Sequence, residues 1–192
     1  MSENHWIYKT IQSALKRIRP ASGDGTIHED LKRQYEALSI EPGVIIKSRE
    51  RLRLGRHNLI QRGTVLHCGG MEWCNYKGHI HLGDFVEISP YCIFYGSGGI
   101  EADDYCRFGP GVKLMSQAEV LSQDPETPTP EFQLELIKLG KACLVGAGAV
   151  ILGGTTLGDY CVVGPNAVVK GHYSERCTLI GNPARAVPRQ AF

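Results

Sequence analysis

The last third of the chain places an aliphatic residue at every sixth position. This series runs without a break through Leu139, Val145, Ile151, Leu157, Val163 and Val169. A second series, two residues before these positions, holds small or slim side chains: Cys143, Ala149, Thr155, Cys161 and Ala167. An α-helix has a period of 3.6 residues and a β-strand a period of 2, so neither alone explains a strict period of six. The pattern indicates a coil of short stacked strands, in which every repeat supplies one inward side chain and one turn.

The same period occurs earlier in the chain. The aliphatic or aromatic positions there are Leu82, Ile88 and Phe94, then Ala102, Phe108 and Leu114. The two blocks are offset by two residues, which the Gly96–Gly99 stretch can absorb. Weaker matches at Leu54, Ile60 and Leu66 place the start of the coil near residue 40. The sequence therefore predicts one solenoid over residues 42–180 with two interruptions.

Length and charge are those of a soluble protein with one large domain or with a domain and an appendage. The chain has 192 residues, and its 21 basic and 20 acidic residues leave a net charge of +1. Such a balance gives no general attraction to nucleic acid or to a membrane surface. No apolar run approaches the roughly 20 residues of a membrane-spanning helix, and Met1–His5 lacks the basic and apolar regions of a signal peptide. We therefore expect a cytoplasmic protein with no nucleic-acid partner and no integral membrane segment.

The first 40 residues differ in kind from the repeats. Apolar residues recur at helical spacing from Trp6 to Ile18, which predicts an amphipathic helix ended by Pro20. Thr26 and Glu29 have the spacing of a capping box and predict a second helix. A basic amphipathic helix can bind a membrane surface, but the open first coil of a solenoid needs a cover, and we favour the cover. Two domains are expected, a helical N-terminal cap over 1–40 and a β-helix domain over 41–192.

The seven cysteines do not form an obvious disulfide framework or metal motif. Four of them fall in the slim inward series, where a thiol behaves as a small hydrophobic side chain: Cys92, Cys106, Cys143 and Cys161. Cys68 and Cys74 lie in a glycine-rich insert that also holds His67, His79 and His81 and could in principle bind zinc, but no pair with the short zinc-finger spacing is present. An odd number of cysteines argues against a full set of disulfides. We expect no metal.

Two further segments carry a family resemblance. The stretch Val145–Gly154 and the ending Ile180–Arg185 resemble the hexapeptide-repeat acyltransferases, within them the branch of galactoside, maltose, serine and cell-surface polysaccharide acetyltransferases. The resemblance implies an all-β fold, a left-handed parallel β-helix of triangular section with a loop protruding at about 115–138. It also implies a homotrimer with active sites between subunits, and acyl transfer from acyl-CoA, here acetyl-CoA, to a hydroxyl or amine.

The resemblance also assigns residues to the acyl donor. Ala147 matches the position whose backbone contacts the pantetheine arm, although Gly146–Gly148 is equally explained as a β-helix corner. Arg185 matches the tail arginine near the CoA phosphates, where a guanidinium can form paired hydrogen bonds. The family's Thr-Lys pair is half kept, because the lysine of Val168–Gly171 is shifted by one position; Lys170 is the candidate for the adenine side.

The acceptor side departs from the family. Its interrupted segment begins with a Ser-x-Asn-His motif whose histidine acts as general base, and here Asn-His is replaced by Ala118-Glu119. No histidine occurs between His81 and His172. Residues that could line an acceptor site are Tyr91, Tyr95, Ser97 and the Met71-Glu72-Trp73 segment.

Four interpretations of the missing histidine remain open. Glu119 is the base, with a pKa raised by burial. Alternatively, the acceptor is an amine that arrives deprotonated and needs only positioning. A third possibility is that catalysis is lost and the chain is a trimeric binding or scaffold protein of the same fold. The fourth uses His79 or His81, which flank the inward Ile80 and so point outward, as two surface histidines also would.

The sequence thus predicts an acyl-CoA-dependent O- or N-acyltransferase for a sugar, amino sugar or related small acceptor. Surface polysaccharide biosynthesis is one setting for such an enzyme. The candidate site residues are Glu119 for catalysis and Ala147, Lys170 and Arg185 for the acyl donor. The catalytically degenerate trimeric protein is the alternative.

Overall fold

The repeat of six produces short strands that wind into parallel coils. The computed structural model of the protein describes residues 28–121 and 130–188. Each complete coil contributes one strand to each of three parallel sheets, which form the three sides of a left-handed β-helix. The predicted all-β fold is therefore confirmed.

Sheet 1 contains, in spatial order, β1 (Ser39–Ile40), β4 (Leu59–Ile60), β7 (Glu87–Ile88), β10 (Arg107–Phe108), β15 (Leu144–Val145), β18 (Val162–Val163), β21 (Thr178–Ile180) and β22 (Arg185–Val187). Sheet 2 contains β2 (Ile45–Lys47), β5 (Val65–His67), β8 (Ile93–Tyr95), β11 (Lys113–Met115), β16 (Val150–Leu152) and β19 (Val168–Val169). Sheet 3 contains β3 (Leu52–Leu54), β6 (Ile80–Leu82), β9 (Ile100–Ala102), β14 (Ile137–Leu139), β17 (Thr156–Leu157) and β20 (His172–Tyr173). All neighbours pair in parallel except β21 and β22.

The predicted inward positions are the core of the helix. Every member of the aliphatic series from Leu139 to Val169 is at most 1% exposed, and the slim series from Cys143 to Ala167 is equally buried. The earlier blocks are also buried, with Phe94 against Phe108 in an edge-to-face contact at a centroid distance of 5.0 Å. Because stacked coils align equivalent residues, the period of six places these side chains directly above one another.

The interruption after β11 is a β-hairpin. Its strands β12 (Gln117–Leu121) and β13 (Pro130–Leu134) pair antiparallel and leave the coil between sheets 2 and 3. The backbone N–H of Glu135 donates to the Ser116 carbonyl at 2.9 Å, so the two ends of the insertion meet at its root. The protrusion predicted at about 115–138 is confirmed, and the coil resumes at β14.

Among the residues that the structure describes, one short helix covers the N-terminal side of the coil. Helix α1 (Glu29–Gln34) buries Leu31 in the core, and the Tyr35 hydroxyl donates to the Leu52 carbonyl at 3.2 Å. Its N-cap is His28, whose side chain makes no capping hydrogen bond. Thr26, the first residue of the predicted capping box, lies outside the described residues.

The amphipathic helix predicted from Trp6 to Ile18 lies outside the described residues. The domain boundary at residue 40 stays a prediction, although β1 of the first coil already begins at Ser39. Two short 3-10 helices, Arg49–Arg51 and Glu72–Cys74, lie in the first two connections between sheets 2 and 3. Within residues 28–121 and 130–188, no helix is long and apolar enough to cross a membrane.

Candidate functional site

The root of the β12–β13 hairpin is fixed to the preceding coil by Ser116. This hydroxyl donates to the Tyr95 carbonyl at 2.6 Å and accepts from the backbone N–H of Gly98 at 2.9 Å. A Cβ atom on Gly98 would collide with the Ser116 carbonyl and the Glu135 nitrogen. Glycine at this position therefore permits the close approach between the Gly96–Gly99 turn and the hairpin.

A hydroxyl without a partner lies in the same turn. Ser97 is 1% exposed, and its Oγ makes no hydrogen bond to any described residue. A buried hydroxyl usually has a hydrogen-bond partner, because leaving it unpaired costs about 1–3 kcal/mol. Ser97 is thus a polar group at the hairpin root that a ligand or a bound water can satisfy.

Glu119 lies on the protruding part of β12. It pairs with Phe132 of β13, so both side chains are on one face of the hairpin, whereas Val120 and Glu131 share the opposite face. The Glu119 side chain is exposed in the single chain. The structure thus places Glu119 on the hairpin that interrupts the coil, and its role as general base stays a prediction.

Lys170 lies at the edge between sheets 2 and 3, directly after β19. Its Nζ atom forms an ion pair with Glu135 Oε2 at 3.0 Å, at the foot of the same hairpin. Both groups are largely exposed, so this pair contributes little to stability. Lys170 therefore faces the hairpin root, and any contact with a donor would have to compete with Glu135.

Ala147 and Arg185 lie along a different edge, between sheets 1 and 2. The Ala147 carbonyl accepts from the N–H of Asn166 in the next coil at 2.9 Å. In the final turn, Ala184 N–H donates to the Val168 carbonyl at 2.8 Å, and Arg185 follows it with an exposed side chain. Ala147 is exposed as well. The structure thus brings these two predicted donor residues to one edge of the coil and separates them from Lys170.

The outer face of sheet 2 lies between these two edges. The outward residue that directly precedes the inward residue of each strand stacks on its equivalents in neighbouring coils, and these residues form an outward column. In sheet 2 this column is mostly β-branched: Ile45, Val65, Ile93, Lys113, Val150 and Val168. The equivalent column of sheet 3 is polar: Arg53, His81, Glu101, Lys138, Thr156 and His172. The sequence analysis missed the apolar column, although an aliphatic residue just before an inward aliphatic residue is its signal.

The insert between β5 and β6 is packed rather than open. Cys68 and Cys74 are both fully buried, and burial raises the pKa of the Cys68 thiol to about 12. His67 stacks on Tyr95 at a centroid distance of 5.2 Å, and burial lowers the pKa of its imidazole. Among the residues that the structure describes, one group of His, Cys, Asp and Glu side chains is spaced closely enough to hold a metal ion. It consists of His79, His81 and Glu101, and it includes neither Cys68 nor Cys74.

Comparisons with known proteins agree with this architecture. The family described as bacterial transferase hexapeptide (six repeats) matches residues 137–171. Nodulation protein L of Rhizobium leguminosarum bv. viciae is 34% identical over 113 residues, which are 58% of this chain and 58% of that protein. The chain therefore matches somewhat more than half the length of this curated relative.

Solved structures extend the similarity to most of the chain. AntD, an N-acyltransferase from Bacillus cereus in complex with dTDP and coenzyme A, has a TM-score of 0.68 at 18% identity, over 85% of this chain and 89% of AntD. Perosamine N-acetyltransferase from Caulobacter crescentus, in complex with CoA and GDP-perosamine, has a TM-score of 0.58 at 18% identity, over 88% and 68%. A hexapeptide-repeat-containing acetyltransferase from Vibrio cholerae has a TM-score of 0.56 at 16% identity, over 98% and 93%.

These findings show the fold, a left-handed β-helix, and a match of residues 137–171 to bacterial transferase hexapeptide repeats. The resemblance to the hexapeptide-repeat acyltransferases that the sequence indicated is confirmed.

Proposed function

We propose that the protein transfers an acyl group from acyl-CoA, most simply acetyl-CoA, to the amine of a nucleotide-linked amino sugar. The observation that carries this proposal is the hairpin over 117–134, inserted into regular transferase repeats beside a turn with an unpaired buried hydroxyl. A long insertion in a compact solenoid is usually functional. The neighbours named for CoA together with dTDP or GDP-perosamine support this class of donor and acceptor.

The donor is expected along the edge that carries Ala147 and Arg185. Successive coils are about 4.8 Å apart, so the two coil steps from Ala147 to the final turn span about 10 Å along this edge. Arg185 then pairs with CoA phosphate, as guanidinium groups commonly do. Lys170, held by Glu135 at the other edge, is the weaker donor candidate.

An amine acceptor suits the absence of the family histidine. A neutral amine attacks the thioester carbonyl without prior removal of a proton, after which the CoA thiolate leaves and the added nitrogen loses its proton. The protein then needs to orient the two substrates and to accept one proton from the nitrogen, before attack if the amine arrives as ammonium and after attack if it arrives neutral. Glu119 fits the second task, because a carboxylate attracts the ammonium form of an amino sugar and can accept the released proton.

We propose a homotrimer in which the outer face of sheet 2 meets a neighbouring subunit. Val65, Ile93, Val150 and Val168 are half-buried in the single chain, and burial of further apolar area stabilises association. Both edges of sheet 2, and with them the donor edge and the hairpin, would then border the neighbour. This arrangement accounts for an exposed Glu119, since a second subunit would complete its surroundings.

The proposal is tested by acyl-transfer kinetics on matched acceptor pairs. Acetyl-CoA is incubated with dTDP- and GDP-linked amino sugars and with the corresponding hydroxy sugars, and product is measured by mass spectrometry. We expect acetylation of at least one amino sugar and none of its hydroxy counterpart. Binding of acetyl-CoA without transfer to any acceptor would instead support the degenerate binding protein.

The Glu119→Gln variant tests whether Glu119 takes part in the reaction or only lies on the hairpin. If Glu119 acts as a base, kcat should fall by about 10²–10⁴; if it only attracts the ammonium group, KM should rise and kcat should change little. Glu131→Gln is the matched control, because this exposed carboxylate is on the opposite face of the same hairpin. Equal effects of the two variants would contradict a specific role for Glu119.

A further inference from the structure

Two histidines and a glutamate converge on the outer face of sheet 3. His79 and His81 flank the fully buried Ile80, so both project outward from the same side of β6. Glu101 of the next coil is the register partner of His81 on β9. The three side chains therefore come from two adjacent strands and share one surface.

The distances between their ligating atoms are short. The His79 and His81 ring centroids are 4.3 Å apart, and His79 Nε2 lies 3.3 Å from Glu101 Oε1. One ligating atom from each of the three residues lies within 4.8 Å of the other two. Tetrahedral zinc bonds of about 2.0–2.2 Å place ligand atoms about 3.3 Å apart. The His79–Glu101 pair already has this separation, and a small rotation of His81 would bring the third atom into place.

The surroundings hold the His79 ring in place. Gly99 leaves room for the His79 ring, because a Cβ atom there would lie 2.8 Å from its Cε1 atom. Burial and the neighbouring His79 lower the pKa of the His81 imidazole.

We propose that His79, His81 and Glu101 bind one divalent cation of the zinc class. Two imidazoles and one carboxylate are the mixed nitrogen and oxygen ligands that zinc accepts, whereas calcium and magnesium prefer oxygen alone. Three protein ligands leave a coordination position open to water or to a small anion. The inference does not depend on acyl transfer, since the cluster is on sheet 3 and away from the edge with Ala147 and Arg185.

Two neighbouring cations oppose metal binding, Arg53, which is the register partner of His81 on β3, and Lys138, which provides a test with a defined direction. Lys138 Nζ lies 3.8 Å from Glu101 Oε2, and Lys138 is the register partner of Glu101 on β14. Both side chains of this pair are partly or largely exposed, so the ammonium group can move away when a metal ion binds. Removal of its charge should therefore strengthen binding.

The experiment titrates the chelator-treated full-length protein with Zn²⁺ by calorimetry and with Co²⁺ by visible absorption. We expect one site per chain, with the intense d–d bands of four-coordinate Co²⁺ and without the near-ultraviolet charge-transfer band of a thiolate ligand. The thiolate band would place the metal on cysteines and would overturn the proposal, as would the lack of a saturable site.

Variants on the same sheet locate the ion. His81→Ala and Glu101→Gln should weaken Zn²⁺ binding by more than about 100-fold, since changes outside the ligand shell alone cost about 10–100-fold. His172→Ala is the matched control, because His172 is an outward, exposed histidine of β20 on the same face. Lys138→Ala should bind more tightly than the unmodified protein. Unchanged affinity in the His81 and Glu101 variants would overturn the proposal.

Discussion

Arg185 and Lys170 carry the same charge, but they differ in the partners that their cationic groups already have. Lys170 is paired with Glu135 at 3.0 Å, whereas the Arg185 Nη1 atom donates to the Ala184 carbonyl at 3.0 Å and its side chain is exposed. A guanidinium has five N–H donors, so this single bond leaves most of them available. At the scale of single residues, Arg185 is the better placed cation for a phosphate.

We expect Arg185→Ala to weaken acetyl-CoA binding about tenfold or more. Hydrogen bonds to charged groups contribute about 1.5–3 kcal/mol, and each 1.4 kcal/mol corresponds to about tenfold in affinity. Isothermal titration calorimetry measures the change. Arg176→Ala is the control, since Arg176 is at another corner of the coil, 5.4 Å from the Tyr160 ring centroid. Equal affinity of the Arg185 variant and the unmodified protein would remove Arg185 from the donor site.

Within a strand, a shift of one residue changes the face of the sheet on which each side chain lies. In β18 and β15, the inward Val163 and Val145 are at most 1% exposed, whereas Leu144 beside Val145 is 47% exposed. A shift of one residue would exchange these faces, because side chains of a strand alternate. The register is thus fixed by the stacking of inward residues across coils, such as Val145 with Val163.

We expect Val163→Asp to lower the free energy of unfolding by at least about 3 kcal/mol, because it buries a carboxyl group among apolar side chains. Leu144→Asp, on the outward face of the same sheet, should cost less than about 1 kcal/mol. Urea denaturation followed by circular dichroism compares the two variants. Similar costs for both would show that the assigned register is wrong.

The coil could be predicted from the sequence more fully than the candidate site, and the pairing of the strands explains the difference. A fixed period makes every inward position, from Leu82 to Val169, repeat the same environment, so spacing alone reveals it. The cluster of His79, His81 and Glu101 depends on which residues of neighbouring coils stack, and no spacing along the chain states that register. The same reason hid the pairing of Lys170 with Glu135, which are joined only through the hairpin root.

Sheets 2 and 3, two of the three sides of the molecule, differ in the polarity of their outward side chains. Sheet 3 presents charged and polar residues outward, including the Arg53, His81 and Glu101 row, whereas sheet 2 presents Val65, Ile93 and Val150. A mostly apolar column along one side of a coil is typical of an interaction surface. Three copies with cyclic symmetry can each bury such a face in a closed assembly.

We expect light scattering coupled to size-exclusion chromatography to give about 63 kDa, three times the 21.1 kDa of one chain. Val150→Lys should shift the protein towards monomers, because it places a second ammonium group beside that of Lys113 in the outward column of sheet 2. Thr156→Lys, at an outward position of sheet 3, should leave the trimer intact. If sites are shared between subunits, Val150→Lys should also lose acyl transfer while circular dichroism shows an intact coil. A monomeric mass for the unmodified protein at micromolar concentration would contradict both the trimer and the shared site.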